Sequence, residues 1–367
     1  MSQIKASVLK QAHELAVEMR DLAAPGPNEV QVAVKSTTLC GSDMHYYHKG
    51  ANGDFKVREP LSLGHESAGE VVAVGDNVSS LSAGDKVALE VGIPCGQCEL
   101  CRKGRYNLCG TLKFRSSAKV FPHFQGTLQE RINCPASWCH KLPESLSVEN
   151  GALVEPLSVA IHAANRAQVV PGSTVLVLGA GAVGLFAAAM ARICGATRIV
   201  IADIAKNRVE FAVNNGLATD SYVVPMKRAS SVDEKLSNAR EVAEDLNKLA
   251  GQYDYTFECT GVESCVQTGI FATKPGGKLL FVGMGNPIQT LHIGAAALRE
   301  VDLIGVFRYA NCYPTGISLM AQGMIPALDK FITHRVNGLD NVEQAFELAG
   351  KPEDKDGNLV IKVVVNN

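Results

Sequence analysis

Polar and apolar residues alternate in short segments along the first part of the chain. Residues 29–34 and 68–75 follow this period of two, and glycine, proline and aspartate separate such segments up to about residue 160. Alternation with frequent turn residues is typical of strands that are buried on one face. The pattern predicts a β-barrel or a β-sandwich for this part of the chain.

The pattern changes at Val175, where short apolar runs begin to alternate with helical stretches. The apolar runs cover residues 175–178, 199–202, 253–257 and 278–282, and the helical stretches include 183–194 and 206–215. Strands interleaved with helices indicate βαβ units and a parallel sheet that is covered on both faces. Residues 232–249 carry mixed charges at helical spacing, which predicts an amphipathic surface helix. The strand-like segment 359–365 is expected to return to the first domain.

Composition describes a globular protein of two domains. A chain of 367 residues is too long to form one compact core, and 46% of its residues are hydrophobic while 20% are charged. With a net charge of −2, the protein has no large positive electrostatic field that would attract nucleic acid or an acidic membrane. Neither is therefore expected as a partner.

Three further observations concern the cellular location of the protein. No apolar stretch approaches the roughly 20 residues that cross a bilayer, and residues 1–5 lack the apolar core of a secretion signal. Eleven cysteines, an odd number, fit a reducing compartment better than a disulfide framework. A cytoplasmic protein is therefore expected.

Cysteines are concentrated at one place, in a segment rich in glycine and charge: Cys95, Cys98, Cys101 and Cys109. Zinc prefers four thiolates at roughly 2.3 Å in a tetrahedron, and short spacers let one loop wrap around the ion. The spacing predicts a structural zinc site that staples this loop, with the chemistry located elsewhere. Disulfides or unconnected buried thiols are the alternative.

The run 174–185 places a Gly-x-Gly-x-x-Gly pattern directly after a strand and at the start of a helix. Gly179 permits the tight turn, Gly181 lets the backbone approach a pyrophosphate, and Gly184 lets the helix pack against the sheet. The next strand ends at Asp203, at the distance expected of a carboxylate that binds the hydroxyls of the adenosine ribose. Together these signals predict NAD rather than NADP as the cofactor.

Three other segments carry possible metal ligands: residues 40–45, 64–66 and 154–158. A catalytic zinc takes three protein ligands and leaves one position open, and thiolate, imidazole and carboxylate groups are competent donors. Cys40 and His65 are the clearest candidates. Taken singly, each is more often a structural residue. The functional interpretation depends on their occurrence together with a dinucleotide signature and a closed cysteine loop.

With these features, the chain resembles the zinc-dependent medium-chain dehydrogenases, and among them the sorbitol (polyol) dehydrogenases. The resemblance covers nearly the whole chain in order. The segments that carry it are Cys40-Gly-Ser-Asp43 with His45-Tyr46-Tyr47, Gly64-His65-Glu66, residues 104–109, Glu155 to His162, Glu258-Cys-Thr-Gly261 and Arg299 to Tyr309. It implies a two-domain fold of β and α/β type, and a homotetramer. Both chain ends (residues 1–163 and 305–367) would form a GroES-like β-barrel catalytic domain. A doubly wound Rossmann NAD-binding domain with a parallel sheet (residues 164–304) would be inserted between them in the sequence.

The resemblance also implies roles for individual residues. Cys40, His65 and Glu66 would hold a catalytic zinc, and Glu155 would ligate the ion or hold its water. Many alcohol dehydrogenases of the superfamily carry a second cysteine where this chain has Glu155, so the choice between Glu66 and Glu155 as a direct ligand stays open. A structural zinc in the cysteine loop is expected in addition. The implied substrate-binding residues are Tyr46, Phe114, Glu155, Arg308 and Tyr309, and the implied cofactor-binding residues are Gly179, Gly181, Val183, Gly184, Asp203, Arg208, Val282, Met284, Val306, Phe307 and Arg308.

The implied activity is oxidation of a secondary hydroxyl of a C5 or C6 polyol to a ketose, with hydride transfer to NAD. Zinc would lower the pKa of the hydroxyl, and Ser42 or Glu155 would help to remove its proton. Arg308 and Tyr46 would hydrogen-bond more distant hydroxyls and so select polyols over simple alcohols. The preferred polyol and the physiological direction stay open.

Two other functions are considered. A related zinc dehydrogenase that acts on threonine or a primary alcohol is the nearest, and Glu155 together with Arg308 and Tyr309 argues against it. A non-catalytic cofactor-binding relative would lack the catalytic zinc ligands, which this chain retains.

One charged segment, residues 113–126, matches no fixed motif. We interpret it as a solvated loop rather than as an edge of the substrate pocket.

Overall fold

The alternating segments of the first 160 residues are strands in the computed structural model, which describes residues 2–367. In the segment that begins at Glu29, the side chains of Val30, Val32 and Val34 are buried while Lys35 is exposed. In chain order the strands are β1 (Ser2–Gln11), β2 (Glu14–Leu22), β3 (Glu29–Thr38), β4 (Ala51–Asn52), β5 (Phe55–Lys56), β6 (Glu66–Val74), β7 (Lys86–Leu89), β8 (Gly92–Ile93), β9 (Lys113–Phe114), β10 (Arg131–Pro135), β11 (Cys139–Lys141), β12 (Thr174–Leu178), β13 (Arg198–Asp203), β14 (Asp220–Val223), β15 (Tyr253–Glu258), β16 (Thr273–Phe281), β17 (Asp302–Gly305), β18 (Ile332–Asn337) and β19 (Lys362–Asn366).

All helices of ten residues or more begin at or after Val154. In chain order the helices are α1 (Gly41–Lys49), α2 (Glu99–Arg102), α3 (Val148–Ala152), α4 (Val154–Ala167), α5 (Ala182–Ile193), α6 (Lys206–Asn214), α7 (Val232–Ala250), α8 (Glu263–Ala272), α9 (Ile293–Ala297), α10 (Tyr313–Ala321) and α11 (Val342–Ala349), with single 3₁₀ turns at Tyr106–Leu108, Ala136–Trp138, Leu328–Lys330 and Leu339–Asn341. Within residues 2–367, none of these helices combines the length and the apolar character that crossing a membrane requires.

The chain divides into two units. The first comprises residues 2–155, Tyr313–Gly323 and Leu328–Asn367, and the second comprises Pro156–Cys312 and Met324–Ala327. The changeovers implied by the resemblance, after residues 163 and 304, differ from these bounds by several residues. Helix α4 carries the chain through the first changeover without a break, so no turn or change of composition marks that point.

A mainly antiparallel sheet forms the frame of the first unit. Its strands follow the order β11-β7-β6-β3-β19-β18, and β10 also pairs with β3. The C-terminal strand β19 lies antiparallel to β3, with Val364 opposite Thr38, which confirms the expected return of the chain end. Leu61, Leu63 and Phe346 belong to the apolar core of this unit, where each is fully buried. Burial of one such side chain stabilises the fold by roughly 1.5–3 kcal/mol.

A parallel sheet of order β14-β13-β12-β15-β16-β17 forms the second unit. All five strand pairs are parallel, and the order reverses between β12 and β15, as in doubly wound nucleotide-binding folds. Helix α7 buries Val242 and Leu246 against this core, as its charge pattern predicted. The carboxyl ends of β12 and β13 therefore lie at the edge where such folds bind ligands.

Candidate functional site

The candidate metal site begins at the first turn of α1. Cys40 is extended and caps the helix, and the carboxylate of Asp43 accepts the Cys40 N–H at 3.1 Å. The first N–H groups of a helix have no partner inside the helix, and an acid at its third position satisfies one of them. The same turn carries Ser42, so three polar groups stand at one helix end.

Asp43 is fully buried, and its carboxylate collects donors from other segments of the first unit. Oδ1 accepts the Gly64 N–H at 3.2 Å and the Ser116 hydroxyl at 2.7 Å, and it lies 3.2 Å from Nδ1 of His65. Burial opposes ionisation, but His65 and the donors outweigh it and lower the pKa of Asp43. An ionised anchor thus fixes the ring of His65. Asp43 belongs to a motif that the sequence analysis identified, but no role was assigned to it. An acid at the third helical position beside a candidate ligand could have indicated that role.

His65 is buried, with its second ring nitrogen directed to the candidate metal position. While Nδ1 faces Asp43, Nε2 lies 3.4 Å from the hydroxyl oxygen of Ser42. Burial opposes the charged ring, but Asp43 and Cys40 raise the pKa of His65 well above its ordinary value. A metal ion takes only the neutral ring, so its binding at Nε2 releases a proton.

Glu66 begins β6 and has no exposed surface. Its Oε2 accepts hydrogen bonds from the Thr38 hydroxyl and from the ammonium group of Lys362. Its Oε1 is buried without a hydrogen-bond partner among the residues that the structure describes. A carboxylate oxygen left unpaired in the interior costs free energy unless a cation meets it. This orphaned oxygen therefore marks a place for a positive ion.

The ligand atoms of Cys40, His65 and Glu66 all lie within 4.8 Å of one another. Thiolate, imidazole and carboxylate together form a donor set that zinc accepts in catalytic sites, where three protein ligands leave one position open. The donor chemistry, the spacing and the orphaned Oε1 of Glu66 all fit a zinc ion at this point.

Glu155 is the other candidate ligand. It is the second residue of α4 and is 5% exposed. Burial opposes protonation of Lys362, but the charges of Glu66, Cys40 and Glu155 outweigh it and raise the pKa of that ammonium group. Glu155 thus acts electrostatically on Lys362, whereas the ligand atoms grouped within 4.8 Å are those of Cys40, His65 and Glu66. Sequence reasoning missed Lys362 altogether.

The interpretation of residues 113–126 as a solvated loop is wrong. Ser116 is buried and donates to Asp43, and the N–H of Ala118 donates to the hydroxyl of Tyr46 at 3.0 Å. The ring of Phe114 lies 5.6 Å from the ring of His65. Its charge predicted exposure for Arg115, but this side chain is buried too, because its guanidinium group donates to backbone carbonyls.

The cysteine loop brings its thiols together. The sulfur atoms of Cys95, Cys98, Cys101 and Cys109 lie within 4.8 Å of one another. All four cysteines are free, and Sγ of Cys101 lies 3.9 Å from that of Cys95 and 3.4 Å from that of Cys98. Two thiolates on a tetrahedral zinc stand roughly 3.8 Å apart, given the usual bond length. Backbone N–H groups of Cys95 and Cys98 point to sulfur at 3.4 Å, as expected when thiolates bear charge.

The glycine-rich turn has the geometry that its spacing predicts. Gly179 adopts a φ of +101°, which favours glycine, and a Cβ at Gly184 would stand 1.8 Å from the carbonyl oxygen of Gly179. A Cβ at Gly181 would meet nothing within 4 Å, so open space lies at the N-terminus of α5. Free N–H groups and the positive end of the helix dipole make such a place suitable for a pyrophosphate.

Asp203 ends β13 at the same edge of the sheet. Its Oδ2 accepts the N–H of Ala180 at 2.7 Å, and its Oδ1 accepts the N–H of Ala205 at 2.9 Å. These bonds hold the carboxylate beside the glycine-rich turn. The other predicted cofactor residues all lie in the second unit and are at least partly exposed: Val183, Arg208, Val282, Met284, Val306, Phe307 and Arg308.

The predicted substrate residues are divided between the two units. Tyr46, Phe114 and Glu155 belong to the first, and Arg308 and Tyr309 belong to the second. Arg308 has a φ of +53°, and its guanidinium group lies over the ring of Phe307, at 4.7 Å from the ring centre. Tyr309 is buried.

Comparison with known proteins adds independent findings. The model of the alcohol dehydrogenase GroES-like domain matches residues 26–144, and the model of zinc-binding dehydrogenases matches residues 182–322. Sorbitol dehydrogenase of Gallus gallus is 41% identical over 349 residues, which cover 95% of this chain and 94% of that protein. L-Arabinitol 4-dehydrogenase of Aureobasidium melanogenum is 42% identical over 329 residues, covering 89% and 85%.

The solved structure of L-idonate 5-dehydrogenase from Escherichia coli superposes with a TM-score of 0.85 at 28% identity, covering 100% of this chain and 99% of that one. The predicted combination of a GroES-like domain with a Rossmann domain is confirmed.

Proposed function

The chain belongs to the zinc-dependent medium-chain dehydrogenases, within them to the sorbitol (polyol) dehydrogenases, and we propose that it oxidises a secondary hydroxyl of a C5 or C6 polyol to a ketose. Zinc and NAD are the cofactors of this reaction. The observation that carries the proposal is the grouping of Cys40, His65 and Glu66 within 4.8 Å, with an orphaned buried oxygen on Glu66.

Cys40, His65 and Glu66 would hold a zinc ion, which would supply a Lewis acid that lowers the pKa of a hydroxyl, and bound NAD would supply the hydride acceptor. Asp43 fixes the ring of His65 through Nδ1, so that Nε2 is the nitrogen offered to the metal. The four cysteines of the loop would hold a structural zinc, which would stabilise the first unit without taking part in the chemistry.

Removal of the hydroxyl proton needs an acceptor near the metal. The hydroxyl of Ser42 lies 3.4 Å from Nε2 of His65, and Ser42 is half-buried, so it can pass a proton between the site and solvent. Glu155 is a second acceptor. We assign Ser42 the first transfer, because its oxygen adjoins the nitrogen that faces the metal.

Selection of polyols over simple alcohols is proposed for Tyr46, Phe114, Arg308 and Tyr309. Phe114 packs beside the ring of His65, where it would exclude water from the site. Arg308 would bind hydroxyls away from the reacting carbon. A site built for several hydroxyls discriminates strongly against analogues that lack them.

The assembly and the location are further proposals. We propose a homotetramer, which sedimentation velocity tests directly, and no nucleic-acid partner, in keeping with the net charge of −2. A cytoplasmic location is supported by the cysteines, since all eleven are free in the described part of the chain.

One panel of substrates tests the function. Reduction of NAD is measured with sorbitol, xylitol, galactitol and L-arabinitol, and with threonine and ethanol as the competing substrate classes. We expect turnover with at least one polyol and its loss in Cys40→Ser and His65→Ala variants that still bind NADH. Turnover with threonine or ethanol alone would establish the competing function.

A further inference from the structure

Lys362 is a buried cation at the candidate metal site. A buried positive charge costs free energy unless other groups stabilise it. It is the first residue of β19, the strand that ends the chain, and only 4% of it is exposed. Its ammonium group donates to Oε2 of Glu66 and, at 3.0 Å, to the carbonyl oxygen of Leu39. Lys362 thus contacts one candidate ligand and the residue that precedes another.

The bonds on Glu66 are unevenly divided between its two oxygens. Thr38 and Lys362 both donate to Oε2, while Oε1 has no hydrogen-bond partner among the described residues. A carboxylate held by one oxygen keeps a fixed orientation and offers only the other to a metal. Without the ammonium group, the carboxylate could turn and engage a metal with both oxygens or with neither.

The same strand also fixes the segment that carries Cys40. The Leu39 N–H donates to the carbonyl oxygen of Val363 at 3.0 Å, next to the bond between the Leu39 carbonyl and Lys362. Two consecutive residues of β19 therefore hold both polar groups of the Leu39 backbone. The side chain of Lys362 thus contacts both of the separate segments that carry Cys40 and Glu66.

We propose that Lys362 is a positioning residue of the zinc site, which holds Oε2 of Glu66 so that Oε1 alone faces the metal. The proposal rests on the function proposed above for the location of the zinc, and it concerns metal binding rather than the choice of substrate. Residues that orient metal ligands typically change metal affinity or activity by about 10–100-fold when they are replaced.

Chelator competition on the purified full-length protein tests this. Zinc retained per chain is measured against increasing chelator, so that the more easily removed ion reports on the Cys40 site. We expect Lys362→Met to weaken retention of that ion about 10–100-fold, and Lys362→Arg, which keeps charge and donors, to recover part of the loss. The matched control is Asn366→Ala, which removes the bonds to Ser36 and Glu149 from the same strand and should leave retention unchanged.

A double-mutant cycle separates positioning from a general effect on the fold. In a Glu66→Gln background, Lys362→Met should cause less than a twofold further change, because its effect passes through Glu66. Thr38→Val, which removes only the other donor to Oε2, provides a milder variant should Lys362→Met not fold, and should weaken retention in the same direction. Wild-type retention in Lys362→Met or in Thr38→Val, or an undiminished effect without Glu66, would overturn the proposal. Since no substrate enters these measurements, failure of the polyol assay would leave their outcome intact.

Discussion

Oδ1 of Asp43 lies 3.2 Å from Nδ1 of His65, and both side chains are buried in the first unit. The carboxylate thereby fixes the ring and leaves Nε2 for the proposed metal ion. The site is built outward from this pair: the helix cap at Cys40, the Gly64 N–H and the Ser116 hydroxyl all converge on the same carboxylate.

Asp43→Asn tests this anchor. The amide keeps the shape and one acceptor oxygen but loses the charge that orients the imidazole, so we expect zinc retention and kcat/KM for the polyol to fall about 10–100-fold. Zinc content per chain in the presence of chelator measures zinc retention, and the rate of NAD reduction gives kcat/KM. Asp340→Asn, which changes an exposed acid of the same unit paired with Lys5, is the control and should behave as wild type. Full activity in Asp43→Asn would show that Asp43 does not orient His65 for metal binding.

Asp203→Ala tests the choice of cofactor. Because a carboxylate binds both ribose hydroxyls and repels a 2′-phosphate, its loss should lower kcat/KM for NAD by about 10–100-fold and lower the preference for NAD over NADP. Steady-state kinetics with each cofactor provide the ratio. The control is Glu210→Gln, a change on helix α6 of the same unit. An unchanged ratio would exclude the ribose role.

Cys98→Ser tests the cysteine loop. Loss of one thiolate opens a site whose metal binding is coupled to folding, so we expect one zinc fewer per chain and a Tm lower by roughly 5–10 °C. Cys194→Ser replaces a free, partly buried cysteine outside both metal groups and serves as the control. A variant with the wild-type zinc content would show that the loop holds no structural ion.

Glu149→Gln tests the pH dependence of stability. Burial opposes ionisation of Glu149, but bonds from Arg335 and Asn366 outweigh it and lower the pKa of this carboxyl. A lowered folded-state pKa stabilises the fold above the unfolded-state pKa, and this stabilisation is lost as the pH falls through the folded-state pKa. The variant should therefore be less stable by about 1 kcal/mol at pH 7 and nearly equal to wild type in strong acid.

Thermal unfolding from pH 7 to pH 2.5 measures this difference. Lys141→Gln, which removes an ion pair with Asp85 whose cation is more exposed than Arg335, should change stability less. A gap between Glu149→Gln and wild type that widened toward acid would contradict the sign of the argument.

Local signals in the sequence predicted much of the fold and part of the site. The glycine spacing at Gly179 and the cysteine spacing at Cys95 each concern a few neighbouring residues, so one segment contains the whole pattern. The contacts that sequence reasoning missed join distant segments: Ser116 is 73 residues from Asp43, and Lys362 is 296 residues from Glu66. Tertiary packing alone brings these pairs together. Charge also suggested exposure for Arg115, which the fold buries by giving its donors carbonyl partners.

The proposed activation of a polyol hydroxyl by an ion bound by Cys40, His65 and Glu66, for hydride transfer to NAD, is central to the function of this protein. Its most direct test is the rate of NAD reduction with a polyol before and after a chelator removes the accessible metal, followed by addition of Zn²⁺. We predict loss of the rate with the metal and recovery with zinc, while NADH binding persists. An unchanged rate in the stripped protein would contradict this activation.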